Sequence, residues 1–404
     1  MIRSTKTSLK FSNVKKLDSL HLFIDEYRNV VSQFVNILWE QKKVKCLIPK
    51  ETTSLITSWI SKRAIQCAAK QASAIVRGTK QKQSQRLFVI KKLQSEGKDC
   101  SKLQKLYDTL QITKPNVMVE PELDSRFIKI VMDNPTSFDG WVTLSSLGNS
   151  LKIEVPFKKH KHFNKMLLKG TIKLGIRLSK KMITFMFDIE DSKPKTVGSL
   201  IGIDVGLKST LSCSNGQVIQ KDNHGHDYMS ICKCLSKKRK GSKGFRKVET
   251  HRTNYINWTI NQLNLKDVKE VNREEIKNLR KGKRNTRLMQ SWNYRELFDV
   301  MDRKLSEQGV LVNLLNPTYT SQRCSKCGWV RKGNRSGKLF KCDKCFFECD
   351  ADLNAAINLS LKLKPIGKQQ RLKQENRTGF YWTVLDQELI VPECPTKTKN
   401  LILS

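Results

Sequence analysis

Two Cys-x-x-Cys pairs constrain the fold of this chain more than any other feature of its sequence. Cys324 and Cys327 form the first pair, Cys342 and Cys345 form the second, and 14 residues separate the two pairs. Four thiolates at this spacing are typical of a tetrahedral structural zinc site. Because a ribbon this small is folded by its metal, we predict that these four cysteines bind Zn²⁺.

The charge balance of the chain indicates a polyanionic partner. Its 404 residues include 76 Lys and Arg against 37 Asp and Glu, a formal net charge of +39, and self-repulsion of this size costs a folded protein stability. The length leaves room for two to four compact units, and the 38% of hydrophobic residues excludes a disordered basic tail. A membrane surface is the alternative partner, but the sequence has no transmembrane stretch, secretion signal, lipidation motif or long basic amphipathic anchor.

Hydrophobic periodicity predicts that the first half of the chain begins with helices and continues with strands. Apolar residues at helical spacing predict amphipathic helices over 19–40 and 55–76, followed by a highly charged helical region over 81–110. Alternating apolar residues then predict short strands over 116–190. The polar run 191–195 predicts a domain boundary.

Beyond this boundary the pattern predicts strands again, and a mixed α/β and α+β multidomain protein overall. Residues 200–206, 209–213 and 218–219 are three strand-like segments, with an Asn-Gly hairpin at 215–216 between the last two. A basic helical segment follows over 237–252.

Asp204 lies within the apolar strand Ile-Gly-Ile-Asp-Val-Gly, where a carboxylate is costly unless something pairs with its charge. Asp352 follows the zinc element, in the first turn of an Ala-rich helix whose N-terminus favours negative charge. Each has a simpler alternative: Asp204 could cap a turn, and Asp350 could cap the helix with Asp352 merely beside it.

The third candidate acid is Glu274 or its neighbour Glu275. The residues before them, 268–273, are too polar to predict a buried strand, and paired glutamates are also common on helix surfaces. Three carboxylates from separate segments can hold two divalent ions for phosphodiester cleavage, and Mg²⁺ suits such oxygen ligands.

The basic segment 237–252 is a candidate nucleic-acid surface. Phe245, Tyr255 and Trp258 add aromatic rings to it, and a merely solvated helix face is the alternative. Its candidate contact residues are Lys237, Lys238, Arg239, Lys243, Arg246, Lys247 and Arg252.

The order of these motifs resembles the C-terminal half of the TnpB proteins and of their relatives, the miniature type V CRISPR effectors. The resemblance covers about 200–362, and it is most specific where Tyr-Thr-Ser-Gln leads into the first cysteine pair and Asp-x-Asn-Ala-Ala-x-Asn follows the second. It implies an RNase-H-like RuvC nuclease domain with an inserted zinc ribbon. It also implies an N-terminal β wedge domain with an inserted helical recognition lobe.

Carried over to this chain, the resemblance implies a domain plan and a site. Asp204, Glu274 and Asp352 match the three RuvC acids, which bind catalytic Mg²⁺, and the four cysteines match the zinc ligands. The segments are a wedge strand (1–18), a recognition lobe (19–115), the β wedge domain (116–192), the nuclease domain (193–316), the zinc ribbon (317–349), and the third RuvC motif with a C-terminal tail (350–404).

The implied function is RNA-guided cleavage of double-stranded DNA, with a guide RNA and the target DNA as partners. We expect a monomer or homodimer in the cytoplasm of a prokaryotic cell, on the nucleoid when bound to DNA. One alternative is an RNA-guided DNA-binding protein that has lost cleavage. Another is a DNA-binding transposition protein in which the zinc ribbon is the functional module.

Overall fold

A computed structural model describes residues 1–132, 136–276, 279, 286–361, 363, 366, 375–383 and 389–390. The chain divides into two compact units, Met1–Glu190 and Asp191–Ser404, and the division falls at the start of the polar run 191–195. Most of the C-terminal tail in the predicted domain plan lies outside the described residues. Within the described part of the chain, none of the helices is apolar enough over a sufficient length to cross a membrane.

In its described residues the first unit combines five α-helices with two antiparallel sheets. The sheet orders are β1-β7-β6-β2 and β3-β4-β5. In chain order the elements are β1 (Ile2–Ser8), α1 (Val14–Trp39), α2 (Lys50–Thr53), α3 (Lys62–Ser95), α4 (Ser101–Ile112), β2 (Glu122–Leu123), β3 (Ile128–Met132), β4 (Gly140–Leu144), β5 (Ile153–Phe157), α5 (Lys161–Leu167), β6 (Gly170–Leu178) and β7 (Met182–Ile189).

The predicted helix over 19–40 is confirmed as α1. The predicted break at 77–80, between the next two helical segments, is wrong. The helix α1 begins earlier than expected because the side chain of Asn13 accepts a hydrogen bond from the Lys15 amide and caps it. The helix α3 begins at Lys62 rather than at 55, with the side chain of Ser61 as its cap, and runs without interruption through the expected gap at 77–80 in spite of Gly78. The break comes instead after Ser95, where Gly97 adopts a φ of +64°.

Helices and strands of the first unit share one hydrophobic core. Phe23 and Tyr27 of α1 belong to the same buried cluster as Phe185 and Phe187 of β7. Because β1 pairs with β7 along its whole length, the helices are inserted between two neighbouring strands. The segments 19–115 and 116–192 of the predicted plan therefore do not have separate cores.

The second unit is built on a five-stranded mixed sheet with the order β10-β9-β8-β11-β12. The central strand β8 is parallel to β11, and β11 to β12, whereas β9 and β10 are antiparallel. The elements are β8 (Ser199–Val205), β9 (Leu211–Cys213), β10 (Val218–Ile219), α6 (Tyr228–Lys237), α7 (Lys243–Asn261), β11 (Val268–Glu274), α8 (Arg287–Ser291), α9 (Tyr294–Glu307), β12 (Leu311–Leu315), β13 (Trp329–Val330), β14 (Arg335–Ser336), β15 (Leu339–Lys341), β16 (Glu348–Asp350), α10 (Ala351–Ser360), β17 (Phe380–Trp382) and β18 (Leu389–Ile390).

The three strands predicted after the domain boundary are confirmed as β8, β9 and β10, but the expectation that 268–273 is no buried strand is wrong. This segment is β11, and each of its buried polar side chains has a partner. Asn272 Nδ2 donates to the carbonyl of Leu359 at 2.7 Å, and Asn313 Nδ2 donates to Asn272 Oδ1 at 2.9 Å. Arg273 donates to both carboxylate oxygens of Asp302.

Candidate active site

Asp204 and Glu274 lie side by side at the carboxyl ends of two neighbouring parallel strands. Ile203 of β8 is paired with Arg273 of β11, so the next residue along each strand is one of the two acids. Neighbouring strands are about 4.8 Å apart, and this edge of a parallel sheet is where α/β proteins commonly bind ligands. The carboxylate of Glu274 also accepts a hydrogen bond from Thr320 Oγ1 at 2.6 Å.

Asp352 is brought to the same edge by helix α10, which packs directly on β8. A side chain at Gly202 would collide with the carbonyl oxygen of Ala356, so only glycine allows the helix to approach this closely. The side chain of Asp350 accepts hydrogen bonds from the amides of Asp352 and Leu353 and caps the helix. Asp350 is therefore the N-cap, and Asp352 is a buried residue of the first turn.

The two asparagines of the Asp-x-Asn-Ala-Ala-x-Asn motif attach α10 to the segment that enters the first cysteine pair. Asn354 Nδ2 donates to the carbonyl of Arg323 at 2.8 Å, and the Ser325 amide donates to Asn354 Oδ1 at 3.0 Å. Asn358 Nδ2 donates to the carbonyls of Thr320 and Arg323. The motif thus joins the helix that carries Asp352 to the ribbon.

The carboxyl groups of this site influence one another electrostatically. Burial and, to a smaller extent, the negative charges of Glu274 and Asp352 raise the pKa of Asp204 to about 7. Burial also raises the pKa of Glu274, against the opposing effects of the Thr320 hydrogen bond and the Arg335 charge. Asp204 keeps a partly exposed edge, and among the described residues no cation forms an ion pair with it.

Asp352 differs because two basic side chains hold its carboxylate. Burial favours a raised pKa, but the hydrogen bond and charge of Lys338 and the charge of Arg335 outweigh it, so the pKa lies below its ordinary value. Arg335 Nη2 is 2.6 Å from Oδ1 and Lys338 Nζ is 2.7 Å from Oδ2. Lys338 Nζ also donates to Ser209 Oγ.

Arg335 and Lys338 are residues that our sequence analysis did not single out. Arg335 lies in β14 and Lys338 in the turn before β15, both between the two cysteine pairs. Two basic residues in a loop of an already basic chain carry no distinctive signal. The only sequence feature that indicates a role for them at the site is their position in the ribbon directly before the candidate metal ligand Asp352.

The charges of Glu274 and Asp352 act on Asp204, and all three side chains are of the ligand type that suits hard divalent cations. Carboxylate oxygens are the ligands that Mg²⁺ prefers, and the burial and neighbouring negative charges that raise the pKa of Asp204 are effects that a bound cation would offset. The negative charge of Glu274 is among the causes that raise the pKa of Asp204. Side chains alternate along a strand, so Glu275, which directly follows β11, is not expected to face the same way.

The four predicted zinc ligands form a separate cluster that could hold a metal ion. Their Sγ atoms all lie within 4.8 Å of one another, with 3.6 Å between those of Cys324 and Cys345 and 3.7 Å between those of Cys327 and Cys342. The geometry is preorganised for tetrahedral thiolate coordination.

The two cysteine turns have the same backbone structure. The amide of Gly328 donates to the carbonyl of Cys324, and the amide of Phe346 donates to that of Cys342. Both donors have a left-handed backbone, with φ of +82° at Gly328 and +56° at Phe346. The first turn has the glycine that this conformation favours, whereas the second holds an exposed phenylalanine in it.

The basic segment is exposed over most of its length, with two exceptions to the prediction. Arg252 is buried, and its Nη1 donates to the carbonyl of Ser291 at 2.8 Å. Tyr255 is also buried, stacked on Tyr228. We therefore withdraw both from the candidate nucleic-acid surface. The exposed candidates are Lys237, Lys238, Arg239, Lys243, Arg246 and Lys247.

Parts of the chain are similar to known proteins. Residues 294–359 match the Cas12f1-like TNB domain family. Over 142 residues the chain is 33% identical to a CRISPR-associated endodeoxyribonuclease Cas12f1 of Sulfoacidibacillus thermotolerans. This match covers 35% of this chain and 32% of that protein. Over 94 residues the chain is 34% identical to a TnpB-like protein of Aquifex aeolicus. This match covers 21% of this chain and 30% of that protein.

The C-terminal part of the chain is similar to Cas12f1 and TnpB-like proteins. The resemblance drawn from the sequence motifs is thereby confirmed, although each match spans only about a third of the relative's own length. The fold agrees with a solved structure of the mini-RNA-guided endonuclease CRISPR-Cas_phi3, with a TM-score of 0.52 and 10% identity over 91% of this chain and 93% of that one. At this identity the likeness concerns the fold, a mixed α/β multidomain architecture.

Proposed function

We propose that this chain is a metal-dependent, RNA-guided endonuclease that cuts double-stranded DNA matched by a guide RNA. The observation that carries the proposal is the meeting of Asp204, Glu274 and Asp352 at one edge of a parallel sheet. The relatives that are named endodeoxyribonucleases support it. The second unit then corresponds to an RNase-H-like RuvC domain with the ribbon inserted at 317–349, and the first unit to the wedge and recognition regions.

In this proposal Asp204, Glu274 and Asp352 hold the catalytic Mg²⁺. The bound ions supply an activated water and stabilisation of the leaving oxygen. Thr320 orients the carboxylate of Glu274 through its hydrogen bond. Arg335 and Lys338 compensate the charge of Asp352 and are within reach of a phosphate that approaches this carboxylate.

The net charge of +39 supports a guide RNA and target DNA as the partners. An RNA–DNA heteroduplex is held through its backbone in a positively charged channel, while base pairing reads the sequence. The exposed part of the basic segment, 237–247, is our candidate for part of that channel. Zn²⁺ in the four-cysteine cluster has a structural role in this proposal.

The test uses the purified protein with its co-purifying RNA, a plasmid that carries the matching sequence, and Mg²⁺. Asp204→Ala, Glu274→Ala and Asp352→Ala should each lower the cleavage rate at least about 100-fold and leave guide-dependent DNA binding nearly unchanged. Glu275→Ala is the matched control, because the same truncation one residue away should have a mild effect.

Two outcomes would overturn the proposal. If the wild-type protein binds matched DNA with its RNA but never cuts it in Mg²⁺, the binding-only alternative replaces the nuclease. If the purified protein carries no RNA and binds DNA without it, the chain belongs with DNA-binding transposition proteins.

A further inference from the structure

A second group of ligand-type side chains lies apart from both the acids and the cysteines. Asp222, His226 and His251 each offer one ligand atom, and these atoms all lie within 4.8 Å of one another. The ring centroids of His226 and His251 are 4.7 Å apart, and His226 Nδ1 is 3.4 Å from Asp222 Oδ2. Nothing in the proposed nuclease mechanism uses these residues.

The loop that carries Asp222 and His226 is fixed against helix α7. Tyr255 lies one helical turn after His251 and therefore on the same face of α7. Its hydroxyl donates to the carbonyl of Gln220 at 2.5 Å, and its ring stacks on Tyr228 with centroids 5.6 Å apart. These two contacts anchor both ends of the loop 220–228 beside His251.

The loop also orients the carboxylate of Asp222. Its Oδ1 accepts hydrogen bonds from the amides of His224 and His226, each at 2.9 Å, so Oδ2 is the oxygen that faces the imidazole. Burial favours a raised pKa for Asp222, but these amide hydrogen bonds and His226 outweigh it and lower the pKa. The group is thus an ionised carboxylate with one oxygen already held, the arrangement that outer hydrogen bonds give to a metal ligand.

We propose that Asp222, His226 and His251 form a binding site for a divalent transition-metal ion of the Zn²⁺ class. Two imidazoles and one carboxylate are a ligand set that Zn²⁺ accepts, with water in the fourth position. With metal–ligand bonds of about 2.1 Å, tetrahedral ligand atoms lie about 3.4 Å apart. His226 Nδ1 and Asp222 Oδ2 already have this separation, 3.4 Å, and the half-exposed His226 side chain has room to adjust toward His251.

The metal would link the loop 220–228 to the middle of α7. This helix begins at Lys243, within the exposed basic segment, so the ion would brace the element that presents Lys243, Arg246 and Lys247. The fourth ligand position, open to solvent, is available for water. This inference does not depend on the nuclease proposal, because none of its ligands belongs to the acidic site.

Cobalt titration of the full-length protein, loaded with only the one zinc ion per chain that the cysteine cluster takes, tests the site. Co²⁺ bound by nitrogen and oxygen ligands produces visible d–d bands without a sulfur-to-cobalt charge-transfer band, whereas exchange into the cysteine cluster would add that band. We expect the protein to bind one equivalent of Co²⁺ through nitrogen and oxygen ligands, with d–d bands and no charge-transfer band. His251→Ala and Asp222→Asn should each weaken this binding at least about ten-fold and leave the zinc content of the cysteine cluster unchanged.

His224→Ala is the matched control, because it removes an imidazole from the same loop but keeps the backbone amide that binds Asp222. It should bind Co²⁺ as the wild type does. The proposal is overturned if the wild type shows no d–d bands beyond those of the cysteine cluster. It is also overturned if His224→Ala weakens binding as much as His251→Ala does, since the ligand set would then be another one.

Discussion

At the scale of single residues, two acids of one site have opposite electrostatic states. Asp204 has a pKa raised to about 7 because burial and two neighbouring carboxyl groups disfavour its charge. Asp352 has a lowered pKa because Lys338 and Arg335 hold its carboxylate. The first charge therefore destabilises the metal-free protein, and the second stabilises it.

This difference predicts opposite effects of the same substitution. Between the unfolded value of 3.8 and about 7, the folded state binds more protons at Asp204 than the unfolded state does, so its contribution to the free energy of unfolding falls as pH rises. Asp204→Asn removes the ionisable group and with it this fall in the free energy of unfolding. We expect it to raise the free energy of unfolding by about 1 to 3 kcal/mol near pH 8, and to change it little near pH 4. Urea unfolding without added Mg²⁺ measures both values.

Asp352→Asn is the control for this prediction. Its carboxylate contributes stability above the unfolded pKa, and that stability is lost as pH falls through the lower folded value. The amide should therefore lower the free energy of unfolding near neutral pH. A change of the same sign for both variants would contradict the assignment of the two charge states.

At the scale of elements, the zinc ribbon and helix α10 are structurally coupled. The strand β16 pairs with β15 and leads directly into α10, and the amide of Ala351 donates to the carbonyl of Lys338. The ribbon therefore positions Arg335 and Lys338 and also the start of the helix that carries Asp352. Its integrity should matter at the acidic site as well as at the metal.

Cys342→Ser is expected to remove roughly one zinc ion per chain, to lower thermal stability and to reduce cleavage. A serine hydroxyl is a poor zinc ligand, and a ribbon of this size depends on its metal for folding. Metal analysis by mass spectrometry and a thermal unfolding curve measure the first two effects.

Cys349→Ser provides the comparison for the ribbon. Cys349 pairs with Phe340 in the β15–β16 ladder but does not belong to the four-cysteine cluster. This variant should keep its zinc. Equal zinc loss in both variants, or full zinc content in Cys342→Ser, would show that the cluster is not the metal site.

At the scale of the whole molecule, the excess of 39 positive charges affects what the protein binds rather than how it folds. Each phosphate that a basic side chain neutralises releases counterions, so the logarithm of affinity falls with the logarithm of salt concentration in proportion to the number of such contacts. The exposed residues near the start of α7 are the ones whose contribution can be isolated.

The triple variant Lys243→Gln, Arg246→Gln, Lys247→Gln should bind nucleic acid more weakly at low salt. The slope of log affinity against log salt should become shallower by up to about 2.7, because each lost phosphate contact removes about 0.9. Fluorescence anisotropy with labelled nucleic acid at several salt concentrations measures this slope.

Arg252→Gln serves as the control for the slope. This arginine is buried and donates to the carbonyl of Ser291, so its loss should lower stability and leave the slope unchanged. An unchanged slope in the triple variant would mean that the start of α7 is a solvated face.

The sequence by itself determined the features that depend on local patterns. The spacing of Cys324, Cys327, Cys342 and Cys345 identified the cluster whose Sγ atoms meet in the structure. The apolar run around Asp204 and the Asn-Gly hairpin after it identified β8 to β10. These signals are strong because the spacing of ligands and the alternation of side chains act over a few residues.

Only the tertiary structure decided the features that depend on partners distant in sequence. The polar segment 268–273 becomes an interior strand because Asn313, Asp302 and the backbone of α10 satisfy its side chains. Arg252 is removed from the surface by a carbonyl 39 residues away, and Lys338 reaches Asp352 across the end of the ribbon. A polar side chain is buried or exposed according to whether the fold brings it a partner, and no local pattern contains that information.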